Sequence, residues 1–233
     1  MDLNNARVLL TGGSSGIGKA TAKALIDSGS KVLITGRDEN KLRAAAEEIG
    51  AQYLAMDVAD YDSIPQACQN AVDQLGGIDV LINNAGIGTF SLLDDVSIDD
   101  FEKIFSTNVF GLALITKEIV KHFKAQQKGN IINIASSAGT KGFAFGTVYA
   151  ASKFALRGMT QCWMHELRKS NVRVMLVNPS EVPTAFNQED RKERELVDNK
   201  LHPEDIAHMI RANLEMNDRG FVPELGVWAT NPF

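Results

Sequence analysis

Short β-branched and aliphatic runs alternate along this chain with longer segments in which apolar residues recur every three or four positions. Arg7-Val8-Leu9-Leu10 predicts a strand buried on both faces. Residues 16–28 follow with Ile17, Ala20, Thr21, Ala24 and Leu25 at helical spacing, and Gly29 stands where a left-handed helix stop belongs. Residues 31–35 predict a second strand. Asp38 then caps a helix with the inner face Leu42, Ala45, Ala46 and Ile49, stopped by Gly50. Strands over 52–57, 80–83, 130–135 and 172–177 continue the series, with helical segments over 63–75, 99–127 and 147–170 between them. Ser97 with Asp100 resembles a capping box. Pro203-Glu204-Asp205 opens a late helix, and Gly220-Phe221-Val222 predicts a last strand. Strands buried on both faces, with a helix in every crossover, specify an α/β fold: a single-domain, doubly wound parallel sheet over residues 1–233.

Composition narrows the function. The hydrophobic fraction of 44% and charged fraction of 23% suit a packed globular chain and exclude global disorder. The net charge of −5 argues against a nucleic-acid partner, which needs a basic surface. Cys68 and Cys162 stand far apart, and His122, His165, His202 and His208 have no mutual ligand spacing, so neither a disulfide scaffold nor a metal site is expected. Cys162 and Met159 read most simply as core residues of the helix over 147–170. No apolar leader or 18-residue apolar run appears, so the expectation is a cytoplasmic chain without a membrane partner.

Thr11-Gly12-Gly13-Ser14-Ser15-Gly16-Ile17-Gly18 joins the first strand to the first helix. Glycines let the backbone turn tightly and approach a pyrophosphate, and the helix start offers free N–H groups with partial positive charge. In this strand–turn–helix context the loop reads as a dinucleotide site formed by Gly12, Ser14, Ser15, Gly16, Ile17 and Gly18. An NAD-preferring fold puts an acid at the end of the second strand. Here the chain reads Thr35-Gly36-Arg37, and the Arg37 guanidinium suits a 2′-phosphate, so NADP(H) is favoured over NAD(H).

Tyr149 and Lys153 fall one turn apart on a predicted helix. An ammonium there, with an oxidised nicotinamide, favours the phenolate and tunes the tyrosine for proton exchange with an alcohol or carbonyl. Together with Thr11-x-x-x-Gly16-x-Gly18, Asp57-Val58, Asn83-Asn84-Ala85-Gly86, Asn108, Ser136 and Pro179-x-x-Val182-x-Thr184, the pair resembles the short-chain dehydrogenase/reductase family, from residue 6 to about 184.

The resemblance implies a Rossmann-type oxidoreductase and a role for each matching residue. Asp57 and Val58 would flank the adenine, and Asn84, Ala85 and Gly86 would line the cofactor site. Asn108 would hold a water linking Lys153 to solvent. Ser136 would bond the substrate oxygen, Tyr149 would exchange its proton, and Lys153 would also hold the nicotinamide ribose. Pro179, Val182 and Thr184 would meet the nicotinamide amide. Ser136 and Ser137 compete for the serine role; the family's glycine three residues on, here Gly139, favours Ser136.

The family pattern is broken twice. Pro179-Ser180-Glu181 replaces the usual Pro-Gly pair, and the frequent glycine-rich tail is missing, which puts a tail-built subunit interface in doubt. The charged run Glu189-Asp190-Arg191-Lys192-Glu193-Arg194-Glu195 reads as a solvated helix at the place of a substrate lid, about 184–202. Phe90, Phe143, Phe145 and Phe186 flank the motifs, with core packing and an apolar pocket both open readings. The expected activity is NADP(H)-dependent interconversion of a carbonyl and a secondary alcohol. The substrate is a 3-oxoacyl thioester, a small ketone or a steroid-like alcohol, and the assembly a homodimer or homotetramer. A non-catalytic dinucleotide sensor or scaffold is the alternative.

Overall fold

The computed structural model describes residues 1–186 and 194–232. Seven strands, β1 (Arg7–Thr11), β2 (Lys31–Gly36), β3 (Gln52–Ala55), β4 (Val80–Asn83), β5 (Gly129–Ile134), β6 (Val172–Pro179) and β7 (Glu224–Val227), form one sheet. Its order is β3-β2-β1-β4-β5-β6-β7, and every pair is parallel. The connecting helices are α1 (Gly16–Asp27), α2 (Glu39–Ile49), α3 (Ile64–Leu75), α4 (Ile98–Phe105), α5 (Leu112–Gln126), α6 (Thr147–Leu167) and α7 (Pro203–Glu215).

The period of two along each strand divides the core. Val8, Val32 and Val80 are in register and face α1, α2 and α7, as do Leu10, Ile34 and Ile82. Leu9, Leu33 and Leu81 point the other way, toward α3 and α5, where Ile64, Ile115, Ile119 and Phe123 close a second core. Helix packing on both faces leaves no solvated side, which is why the strands read as continuous apolar runs.

Local signals hold where side-chain chemistry decides. Asp38 accepts the Lys41 N–H at 3.0 Å, and Gly50 ends α2 at φ 76°. Ser97 and Asp100 exchange backbone bonds at 3.1 Å.

Several boundaries differ from the sequence reading. The stretch 99–127 is not one α-helix: Ser106–Gly111 widens into a π turn between α4 and α5. The last strand lies at 224–227 rather than 220–222. There Val222 spends its backbone on the Asn213 side chain, donating at 3.0 Å and accepting at 2.9 Å, and the Gly220 carbonyl accepts from Arg173. Those bonds tie the segment to the end of α7, and Pro223 has no N–H for a ladder. Cys162 is exposed rather than part of the core, whereas Met159 packs on one. Most of the charged run from Glu189 falls within 187–193, outside the described residues.

Candidate active site

The strand order reverses between β1 and β4, and in open parallel sheets that switch point leaves a crevice at the carboxyl ends of the strands. A cavity of about 620 Å³ occupies it. Its wall carries Gly12, Ser14, Ser15, Gly16, Ile17, Gly18, Arg37, Asp57, Val58, Asn84, Ala85, Gly86, Ser136, Tyr149, Lys153, Pro179, Val182 and Thr184. Of the residues expected from sequence, Asn108 alone is set back behind the wall.

The glycine-rich loop is held from beneath. The Asn84 amide donates to the carbonyls of Thr11, at 3.0 Å, and Gly12, at 2.8 Å. The Thr11 hydroxyl accepts from the backbone of Asn84 and Ala85, both at 3.1 Å. Gly12 turns at φ 70°, and a Cβ on Gly18 would stand 2.2 Å from the Gly12 carbonyl oxygen. The loop therefore folds back onto the start of α1, where Ser15 makes no side-chain cap and the first turn holds no acid. A helix start so arranged favours an anion.

At the end of β2, no hydrogen bond or ion pair among the described residues holds the exposed Arg37. Ser14 lies beside Gly36, its hydroxyl 3.8 Å from where a Cβ would stand. One residue past β3, Met56 still bonds Gly36, and Asp57 turns the chain by accepting the Ala59 N–H at 2.9 Å. A pyrophosphate and a 2′-phosphate both fit donors of this kind, so the residues suit a nicotinamide dinucleotide.

The other end of the cavity holds the polar groups of α6 and β5. Ser136 lies on the Tyr149 side of the cavity and pulls the phenol down, and its hydroxyl accepts the Ala138 N–H at 3.1 Å. Ser137 instead gives its carbonyl to Thr140. Lys153 donates to the Ile134 carbonyl at 3.0 Å, and its Nζ lies 5.7 Å from the centre of the Tyr149 ring. Burial pushes the Tyr149 phenol up to about 12, against a pull down from Ser136, and brings Lys153 down to about 8. In the protein alone, desolvation thus outweighs the attraction of the ammonium for the phenolate expected from the sequence spacing.

Asn108 sits in the π turn and is fully used. Its amide accepts from the Ile87 N–H at 2.9 Å and donates to the Ile87 carbonyl at 2.9 Å and to Ser152 at 3.1 Å. Ser152 passes the link to the Tyr149 carbonyl at 2.7 Å. The turn packs closely: a Cβ on Gly111 would fall 1.8 Å from the Val58 carbonyl oxygen. Behind it, Thr116, Asn83, Asn133 and Thr160 form a buried hydrogen-bonded row across β4 and β5. Sequence reasoning missed Ser152 as the tie to Asn108 and Thr107 as a wall residue. Adjacency to named motif residues was their only signal.

The model of the short chain dehydrogenase family matches residues 6–195. The chain belongs to this family. A fission yeast relative (Schizosaccharomyces pombe), an NADP-dependent 3-hydroxy acid dehydrogenase, is 34% identical over 224 residues, covering 89% of this chain and 86% of the relative. A metagenomic short-chain oxidoreductase solved with NADP superposes with a TM-score of 0.84 at 31% identity, over 97% of this chain and 98% of the other. The 3-ketoacyl-(acyl-carrier-protein) reductase of Brucella melitensis, solved with NADH, gives 0.88 at 26% identity, over 99% and 100%.

As a short-chain dehydrogenase the protein is an oxidoreductase with a Rossmann-type sheet. Among the described residues no helix is long and apolar enough to cross a membrane, and no cluster of His, Cys, Asp and Glu is placed to hold a metal.

Proposed function

We propose that the protein reduces a carbonyl to a secondary alcohol, or runs the reverse oxidation, with NADP(H) preferred over NAD(H). The carrying observation is the convergence of Ser136, Tyr149 and Lys153 at one end of a cavity whose other end is the glycine-rich loop. When bound, a nicotinamide supplies or takes up the hydride.

The chain's own residues handle the rest. Ser136 donates a hydrogen bond to the substrate oxygen. Tyr149 gives that oxygen its proton in reduction and takes it back in oxidation. Lys153 places positive charge beneath the phenol, which favours the phenolate as the proton leaves. Asn108 acts through the π turn and Ser152, holding α6 against the Ile87 strand end. The Arg37 guanidinium, which no described residue holds, follows Gly36, beside which Ser14 lies, and supports the preference for a 2′-phosphate. Asp57 and Val58 would take the adenine, and Pro179, Val182 and Thr184 the nicotinamide side. A binding-only sensor or scaffold would need no such proton-handling set.

The reading extends to residues 1–233 as one domain, with the segment at about 184–202 covering the substrate. Thr184, Phe186 and Arg194 all line the cavity, which supports that cover. The exposed Phe110 and Phe154, on the long helical segments, support a homodimer or homotetramer, and the compartment proposed is the cytoplasm. The test is nicotinamide absorbance with NADPH and NADH over a panel of ketones and 3-oxoacyl thioesters. Turnover of none of them would overturn the assignment.

A further inference from the structure

Phenylalanines from three separate segments gather around Tyr149, two on its ring and the third reaching it through Phe90. Phe90 follows β4, Phe143 precedes α6, and Phe186 follows β6. Phe90 meets Tyr149 edge-on at 5.4 Å between ring centres and lies 5.9 Å from Phe143. Phe186 stands 5.7 Å from Tyr149. All three line the cavity, yet Phe90 and Phe143 keep 41% and 49% of their surface exposed. Core packing therefore does not explain them. Phe145, the fourth candidate from sequence, is 53% exposed and lies off the cavity wall.

The two loops bearing the wet rings are stapled together. The Ser91 N–H donates to the Phe145 carbonyl at 3.0 Å, and Gly146 donates to the Phe143 carbonyl at 3.1 Å. The backbones that carry the rings are thus joined, with Ser91 bridged to Gly146. An aromatic wall beside a pair of hydroxyls matches a ligand with one polar atom and a flat apolar body.

The charged groups at this end are already engaged within the protein. Glu181 lines the wall and pairs with Lys200 at 2.7 Å. The Lys153 ammonium is bonded to Ile134, and Arg194 already takes part in an interaction within the protein.

We propose that the substrate is an uncharged aryl ketone, or the matching secondary alcohol, with its ring among Phe90, Phe143 and Phe186 and its oxygen at Ser136 and Tyr149. This rests on the carbonyl-reductase reading above. In reduction the carbonyl π bond breaks and two bonds form. The carbon gains a hydride from the reduced nicotinamide dinucleotide, which is oxidised, and the oxygen gains the Tyr149 proton. Solvent returns a proton to the phenolate.

The test compares acetophenone, cyclohexyl methyl ketone and 3-oxobutanoate with the full-length protein. Acetophenone should have the highest kcat/KM, at least tenfold above 3-oxobutanoate. Phe90→Leu and Phe143→Leu should each raise its KM at least fivefold, and more than that of cyclohexyl methyl ketone, with kcat within about threefold. Should one variant fail to fold by circular dichroism, the other carries the same comparison. A preference for 3-oxobutanoate that Arg194→Ala abolishes, or an unchanged KM for acetophenone in both folded variants, overturns the proposal and leaves carbonyl reduction standing. No turnover of any of the three, with a 3-oxoacyl thioester still reduced, overturns this proposal alone; no turnover of the thioester either, with NADPH or NADH, overturns both.

Discussion

Lys153 and Tyr149 lie one turn apart on α6, and their burial widens the gap between their proton affinities: the lysine falls to about 8 and the tyrosine rises to about 12. Free in water the two titrate within about a unit of each other. In the cofactor-free protein the lysine therefore loses its proton well before the tyrosine. An ultraviolet titration of wild type minus Tyr149→Phe should show the missing tyrosinate signal only as the pH nears 12. A signal centred near 10 would mean that the phenol is not desolvated as described.

Stability should follow the same pair. Lys153 holds its proton more weakly folded than unfolded, so its charge costs stability at neutral pH, and that cost fades as the pH climbs from about 8 toward 10.5. Tyr149 has the opposite sign: its contribution is present below 10 and lost as the pH rises toward 12. Lys153→Met should be more stable than wild type at pH 7 by roughly 1–3 kcal/mol, once the lost Ile134 bond is offset, and the gain should vanish above pH 10.5. Urea unfolding at several pH values checks this.

Proton transfer separates the two residues functionally. Tyr149→Phe should remove nearly all turnover while leaving NADP(H) affinity within a few fold. Lys153→Ala should lower both. The oxidation rate should rise with pH through an apparent value below that of the free-protein phenol, because dinucleotide and lysine then act on it together. Near-normal turnover in Tyr149→Phe would assign the proton to another group.

The proposed cofactor choice rests on a single side chain. Arg37→Ala should cost NADPH about 1.5–3 kcal/mol, roughly ten- to a hundredfold in affinity, and leave NADH little changed. Equal affinities for the two dinucleotides in the wild type, measured by calorimetry, would remove Arg37 from the site.

The loop staple gives a prediction independent of chemistry. Asn84→Ala leaves the carbonyls of Thr11 and Gly12 without their donor and should destabilise the protein by about 1–3 kcal/mol. It should also weaken binding of both dinucleotides alike, since on the proposed reading the glycine-rich loop takes their common pyrophosphate. A selective effect on NADPH would contradict the assignment.

Much of this was legible in the residues. Buried strands and 3.6-residue periodicity gave the layers, because both depend on local pattern. Asp38, Gly50 and the Ser97–Asp100 pair placed helix ends, because capping is local chemistry. The misplaced last strand had a tertiary cause: Asn213 on the preceding helix and Arg173, distant in sequence, claim the backbone at 220–222. The π turn was invisible for a similar reason, since Asn108 is drawn toward Ile87 from a different element. At the site, the glycine loop and the Tyr149–Lys153 spacing were readable. The reversed balance between burial and charge was not, because desolvation depends on what covers the pair. The even choice over the phenylalanines needed three loops brought together in space.

The π turn at 106–111 also bears on how this chain tolerates change in length. Its extra residue is absorbed between two anchored points, Asn108 on Ile87 and the α5 face of Ile115, Ile119 and Phe123 in the core. Each residue of an α-helix advances the chain by about 100°. A single deletion here would either swing Asn108 off its partner or rotate Phe123 out of the core. Substitutions in this stretch act one side chain at a time, whereas an insertion or deletion strikes the active site and the hydrophobic interior at once.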